Sequence, residues 1–121
     1  MSLHYHTSSK SGSFSWFFMR ISGLVLVALV IFHYVLMHID LDRGHTFASV
    51  YAALTDPVWG PWWKTLDLTM LTLGLWHGLT GVWGVIRDYA MPGVLRLVLS
   101  GLLVVAGVAF GIMGYTTILS F

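Results

Sequence analysis

The chain has 121 residues, of which 57% are hydrophobic and 9% charged, with a formal net charge of +1. Soluble domains carry about 25% charged residues and at this size must cover a large surface with polar groups, so composition excludes an ordinary soluble fold and indicates a lipid environment. The near-neutral balance leaves no basic footprint for nucleic acid. The absence of cysteine removes disulfides, thiolate-bound iron–sulfur clusters, covalently attached c-type haem and Cys-based zinc sites. Six histidines remain as strong transition-metal ligands.

Met1–Gly12 is polar, and the apolar run that follows it, Phe14–Met37, is too long for the core of a cleavable signal peptide. These first residues are expected to be loosely ordered, with His4 and His6 exposed. A spanning helix needs about 20 mostly apolar residues, and three segments supply them: 16–38, 65–86 and 94–119. Strand-like alternation is absent, and lipid admits only helices or closed barrels. The expectation is an all-α integral membrane protein of three transmembrane helices, forming a single anchor domain over 1–121. In the loop between Ile39 and Trp63, Thr46–Leu54 suits a short interfacial helix. Trp59, Trp62 and Trp63 belong in an aromatic belt, and Pro57 and Pro61 are expected to stop helix there. Lys10, Arg20, Arg87 and Arg96 fall on one side, against Arg43 and Lys64 diluted by Asp40, Asp42 and Asp56 on the other. That bias places the N-terminus in the cytoplasm.

Polar groups inside a span are costly, so the intramembrane histidines carry the chemical argument. His77 is central in a stripe of Gly74, Gly78, Gly81, Gly84 and Asp88 at helical spacings of three and four. Glycines clear room for a bulky planar ligand beside an axial histidine. Close helix packing explains the glycines but not the histidine, so a b-type haem ligand is the favoured reading. His33 sits deep in the first span. Helical rise puts His77 about 15 Å from Arg87 and His33 about 20 Å from Arg20, so the two lie at different depths and do not serve one haem. Each would need a partner histidine from another chain. His38 points about 140° away from His33 and is an alternative outer ligand or a solvated helix end. Ser22 shares a face with His33. Arg20 suits either a snorkelling anchor or a haem-propionate partner. Asp67 reads as solvated at the outer end of its helix. Asp88 continues the His77 face about 16 Å further on, beside Arg87 and Tyr89, where a polar cluster could deliver protons to a quinone. The third span, with Gly107, Gly111 and Gly114, reads as a packing seam.

The run from His77-Gly-Leu-Thr-Gly through Trp83 to Arg87-Asp88-Tyr89, then Pro92 and Leu95-Arg96-Leu97, closely resembles the membrane-anchor D subunits of succinate dehydrogenase (succinate:quinone reductase, respiratory complex II). Arg20-Ile-Ser22-Gly23 is similar to the same family, and the likeness covers nearly the whole chain. In that family a His of the second span ligates haem b, and an Asp-Tyr pair eleven and twelve residues later serves ubiquinone; the spacing recurs here. The resemblance implies a subunit that is non-catalytic alone, in the inner membrane of a bacterial-type cell. Its partners would be a second haem-binding anchor subunit, an iron–sulfur subunit and a flavoprotein. It implies haem at His77 and quinone facing Tyr89, supported by Asp88. His33 departs from single-haem members and resembles two-haem relatives, so two haems are expected, with ubiquinone or menaquinone as the acceptor. Competing readings are the b-type cytochrome anchor of a formate dehydrogenase or hydrogenase, and a cofactor-free structural membrane subunit. The Asp88-Tyr89 pair argues against the first, and the His77 stripe against the second.

Overall fold

A computed structural model describes residues 10–39 and 46–121. His4, His6, His45 and the charges at Asp40, Asp42 and Arg43 lie outside the described residues. Four helices follow one another: α1 (Lys10–Ile39), α2 (Phe47–Thr55), α3 (Gly60–Asp88) and α4 (Gly93–Leu119). The protein is all-α, as composition requires. The long helices run 30, 29 and 27 residues, or about 40–45 Å each at helical rise. Each is longer than a hydrocarbon layer is thick, and α1 and α3 begin at Lys10 and Gly60 rather than near residues 16 and 65. Hydropathy marks the part of a helix that suits lipid, not where its hydrogen bonding starts.

By length and composition, two helices can cross a membrane, Gly12–His38 and Gly93–Leu119. The third expected span, α3, matches them in length but carries Lys64, Asp67, His77, Arg87, Asp88 and four threonines. Three of those threonines return their hydroxyls to their own helix: Thr65 to Pro61 O (2.7 Å), Thr69 to Thr65 O (2.7 Å) and Thr72 to Leu68 O (2.6 Å). Their polarity is thus spent internally.

The short helix expected over Thr46–Leu54 is α2, shifted by one residue. Thr46 caps it by accepting from Ser49 N, and Ser49 returns the bond to Thr46 N, which satisfies two amides that open a helix. Pro57 and Pro61 behave differently from one another. Pro57 falls in the turn after α2, where Asp56 Oδ1 accepts from Val58 N (2.8 Å) and Trp59 N (2.7 Å). Pro61 opens α3 instead of stopping it, because the first turn of a helix has no use for the missing N–H. Gly60 is buried at this corner, and a Cβ there would lie 2.5 Å from the Leu54 carbonyl oxygen. Only glycine lets the end of α2 rest on the start of α3.

The core element is α3. It packs against α1, α2 and α4, while α1 and α4 do not meet among the described residues. The α3–α4 seam is the glycine stripe expected of the last helix. A Cβ on Gly107 would sit 2.8 Å from Leu79, on Gly111 3.7 Å from Leu75, and on Gly114 2.7 Å from Leu71. Leucines one turn apart on α3 therefore enter a groove that side chains on α4 would close. A hydrogen bond between Thr72 Oγ1 and Tyr115 Oη (2.6 Å) fixes the register. Little else is enclosed: Leu54, Ile86 and Ser22 are the buried side chains among the described residues. The accessible surface is 9598 Å². A compact soluble monomer of this mass exposes about 6,500 Å² by the usual scaling. Large apolar side chains exposed on the described helices, among them Leu24, Phe32, Leu97 and Phe110, contribute to that surface and suit lipid or other chains.

Candidate functional site

Helices α1 and α3 are antiparallel, and two polar contacts cross between them. Ser22 is 3% exposed. Its Oγ lies 3.1 Å from Met19 O and 3.0 Å from His77 Nδ1. A hydroxyl has one proton. Given to the Met19 carbonyl, it leaves the oxygen to accept from Nδ1–H, and the imidazole then keeps an unprotonated Nε2. Gly23 makes the approach feasible, since a Cβ there would stand 3.0 Å from His77 Cε1. The ring is thus held on one edge by a hydroxyl and against a bare stretch of backbone. This is how a ligating histidine is ordinarily oriented, by a hydrogen bond on the nitrogen away from the metal.

The glycines around His77 differ from those of α4. A Cβ on Gly74, Gly78 or Gly84 would meet nothing within 4 Å, and on Gly81 only the Met19 methyl at 3.7 Å. The stripe is therefore an open face and not a seam within this chain. The residues fit a haem: a ring with a bare nitrogen, beside a surface from which side chains have been removed. No group of three or more His, Asp or Glu gathers to hold a bare metal ion among the described residues, whereas a macrocycle brings its own equatorial nitrogens and needs only axial ligands.

The second contact joins His33 Nε2 to Asp67 Oδ1 at 3.3 Å, with side chains 30% and 20% exposed. Asp67 is therefore a partner of His33 and not a solvated helix end. Ser22 and His33 do share a face, as expected, but Ser22 meets His77 rather than His33. Sequence reasoning missed Asp67. The signal lay in the register: Ser22 to His33 is eleven residues on α1, and His77 back to Asp67 is ten on α3. If one pair meets in an antiparallel packing, so does the other, about 15 Å along.

The remaining candidates lie elsewhere. Arg20 is exposed, its guanidinium 4.0 Å from the Trp16 ring centroid, a cation–π stack on its own helix. His38 stacks on Tyr34 at 4.2 Å and places Nδ1 3.2 Å from the Tyr34 carbonyl. Asp88 closes α3 and Tyr89 caps it, with both side chains exposed. Tyr89 is fixed through its main chain. Its N–H donates to Val85 O (3.3 Å), and its carbonyl accepts from Arg96 Nη2 (3.4 Å). The fold does not bring this pair to His77; it sets them on one helix, about 16–18 Å apart by rise. Arg20, Arg87, Asp88, Tyr89 and Arg96 all belong to the same end of the bundle, the opposite end from α2.

No curated protein sequence matches the chain. The model of the succinate dehydrogenase/fumarate reductase transmembrane subunit family matches residues 1–114, and the chain belongs to that family.

Proposed function

We propose that this chain is a haem b-binding anchor subunit of a succinate:quinone oxidoreductase and conducts electrons from an iron–sulfur subunit to quinone. The observation that carries the reading is His77, whose Nδ1 lies 3.0 Å from Ser22 Oγ, a contact that lets Nε2 stay unprotonated, on a helix whose Gly74, Gly78 and Gly84 have open space beside them. Haem b, when bound there, exchanges single electrons. The rest is the work of the chain. Ser22 and Gly23 set the plane of the imidazole. Gly74, Gly78 and Gly84 leave room for a flat macrocycle, and a sister anchor chain would supply a further histidine to it. Arg20 stands at the cytoplasmic end, where a guanidinium can meet a propionate.

Three features support α3 as the third span. It has the length of the other two, it packs against both, and its Thr65, Asp67, Thr69, Thr72 and His77 are bonded within the bundle. The lysine and arginine balance supports a cytoplasmic N-terminus and the inner membrane of a bacterial-type cell. An iron–sulfur subunit and a flavoprotein would then dock on the cytoplasmic side, at the end bearing Tyr89. There the exposed phenol hydroxyl donates to a quinone carbonyl, whether of ubiquinone or menaquinone, and Asp88 beside it accepts and releases protons as the ring is reduced.

The test is Tyr89→Phe in the intact complex. Loss of one hydrogen bond, about 0.5–1.5 kcal/mol, should weaken quinone binding by about 2- to 10-fold. Haem content and succinate oxidation by an artificial dye should stay unchanged. Equal loss of haem and quinone reduction would make Tyr89 a structural residue and remove the quinone assignment.

A further inference from the structure

Two-haem relatives would use a histidine of the first span as a second ligand, and His33 stands at that place. The residues around it do not fit that role. Nε2 is the imidazole nitrogen that projects clear of the chain, whereas Nδ1 neighbours Cβ and would bring the main chain into a porphyrin. At His33 it is Nε2 that faces Asp67 Oδ1, at 3.3 Å. The neighbours of His33 one turn away on α1 are Leu29, Val30, Leu36 and Met37. None is small, in contrast to Gly74 and Gly81 beside His77. Across the contact, Trp63 and Leu71 flank Asp67 at the same spacing. Full side chains stand on this face where glycines stand beside His77.

Asp67 adds an energetic reason. A carboxylate inside a span is tolerated when it is paired or reaches water. Asp67 has His33, and both line a cavity of about 570 Å³ bounded also by His38, Ser49, Trp63 and Ile118. Turning His33 toward iron would strip from the carboxylate, 20% exposed as it stands, its partner across the helices.

We infer that His33 is not an iron ligand: the chain offers iron one axial histidine, His77, and His33 and Asp67 form a polar clamp between α1 and α3 at the outer end of the bundle. The count of one rests on the haem reading at His77; the clamp does not. The two inter-helix contacts have the same register and opposite direction. At the cytoplasmic rung α1 gives a hydroxyl to a histidine of α3, and at the outer rung α3 gives a carboxylate to a histidine of α1. The first orients a ring for work, and the second holds the helices.

The experiment counts haem b per flavin by pyridine haemochrome in the purified intact complex, together with the reduced optical spectrum. Variants are His77→Gln, His33→Gln, Asp67→Asn and the paired His33→Leu/Asp67→Leu. The inference expects haem to vanish in His77→Gln. It expects content and spectrum to be unchanged in His33→Gln, Asp67→Asn and the pair. A fall from two haems to one in His33→Gln, or a displaced spectrum in Asp67→Asn, overturns it. Should His33→Gln fail to assemble, the paired apolar variant decides, since matched leucines replace the clamp without stranding a charge. Full haem in that variant upholds the inference, and lost haem overturns it. The clamp is read separately from thermal inactivation. His33→Leu alone should lower the midpoint more than the paired variant does, and the reverse order refutes the clamp. If wild type holds no haem and His77→Gln changes nothing, the haem reading fails, while this thermal comparison still judges the clamp.

Discussion

Ser22→Ala isolates the contact that, on the proposed reading, would make His77 a haem ligand. The substitution removes one oxygen from a site that is 3% exposed, and with it the contacts to Met19 O at 3.1 Å and His77 Nδ1 at 3.0 Å. Met19 O keeps its place in the α1 backbone. The Nδ1–H has no such alternative, and a donor orphaned away from water costs about 1–3 kcal/mol; inter-helix hydrogen bonds measured in membranes run lower, near 0.6 kcal/mol. The ring stays wedged against Gly23, so the helices should still pair. What is lost is the fixed tautomer and the electron density that an acceptor on Nδ1 lends to Nε2. Losing such an outer partner costs about 10- to 100-fold in metal affinity. In the purified complex, haem b per flavin should fall, or haem should be lost readily on dilution. The haem that remains should have a raised midpoint potential, because a less basic imidazole stabilises ferric iron less. Ser22→Thr, which keeps the hydroxyl, should restore both. Unchanged haem retention and unchanged potential in Ser22→Ala would refute the claim that this hydroxyl governs the ring.

Two further substitutions probe close approaches in the backbone. Gly23→Ala puts a methyl 3.0 Å from His77 Cε1. The imidazole must tilt, and haem content should drop although Ser22 is intact; normal content and spectrum would mean that the ring position is not set by α1. Gly60→Ala sets a methyl 2.5 Å from the Leu54 carbonyl oxygen, which as backbone cannot step aside. Overpacking of this kind costs about 1–3 kcal/mol, so thermal inactivation of the complex should shift down while haem and quinone reduction stay normal below the transition.

Much of this was legible along the chain because it is written within single helices. The apolar run Phe14–Met37, the Gly107–Gly111–Gly114 seam and the short helix after Thr46 each need only one element's pattern. So does the glycine stripe around His77. The stripe reads as room for a ligand because a histidine stands in it, and the α4 glycines read as a seam because none does; a Cβ meets nothing at Gly74, Gly78 or Gly84 and meets leucines at Gly107 and Gly114. Pro61 is the harder letter, since proline ends one helix and begins the next. Asp67 was lost to its position. Near a helix end a carboxylate reads as wet, and only the register between α1 and α3 reveals that His33 stands across from it. Ser22 shares a face with His33, and that face names the neighbouring helix but not the rung at which Ser22 meets His77.

The spine-like place of α3 also bears on how long a newly made copy can survive. Among the described residues, α1 and α4 both lean on it and not on each other, and almost no side chain is sealed from its surroundings. A soluble protein of this size would owe its persistence to its interior; this one has scarcely any. A copy that has reached the bilayer without companions still shows a bare glycine face and a histidine with a lone pair. Its lifetime is then set by how soon a neighbour covers them, so its abundance should track that of the other subunits and not its own rate of synthesis.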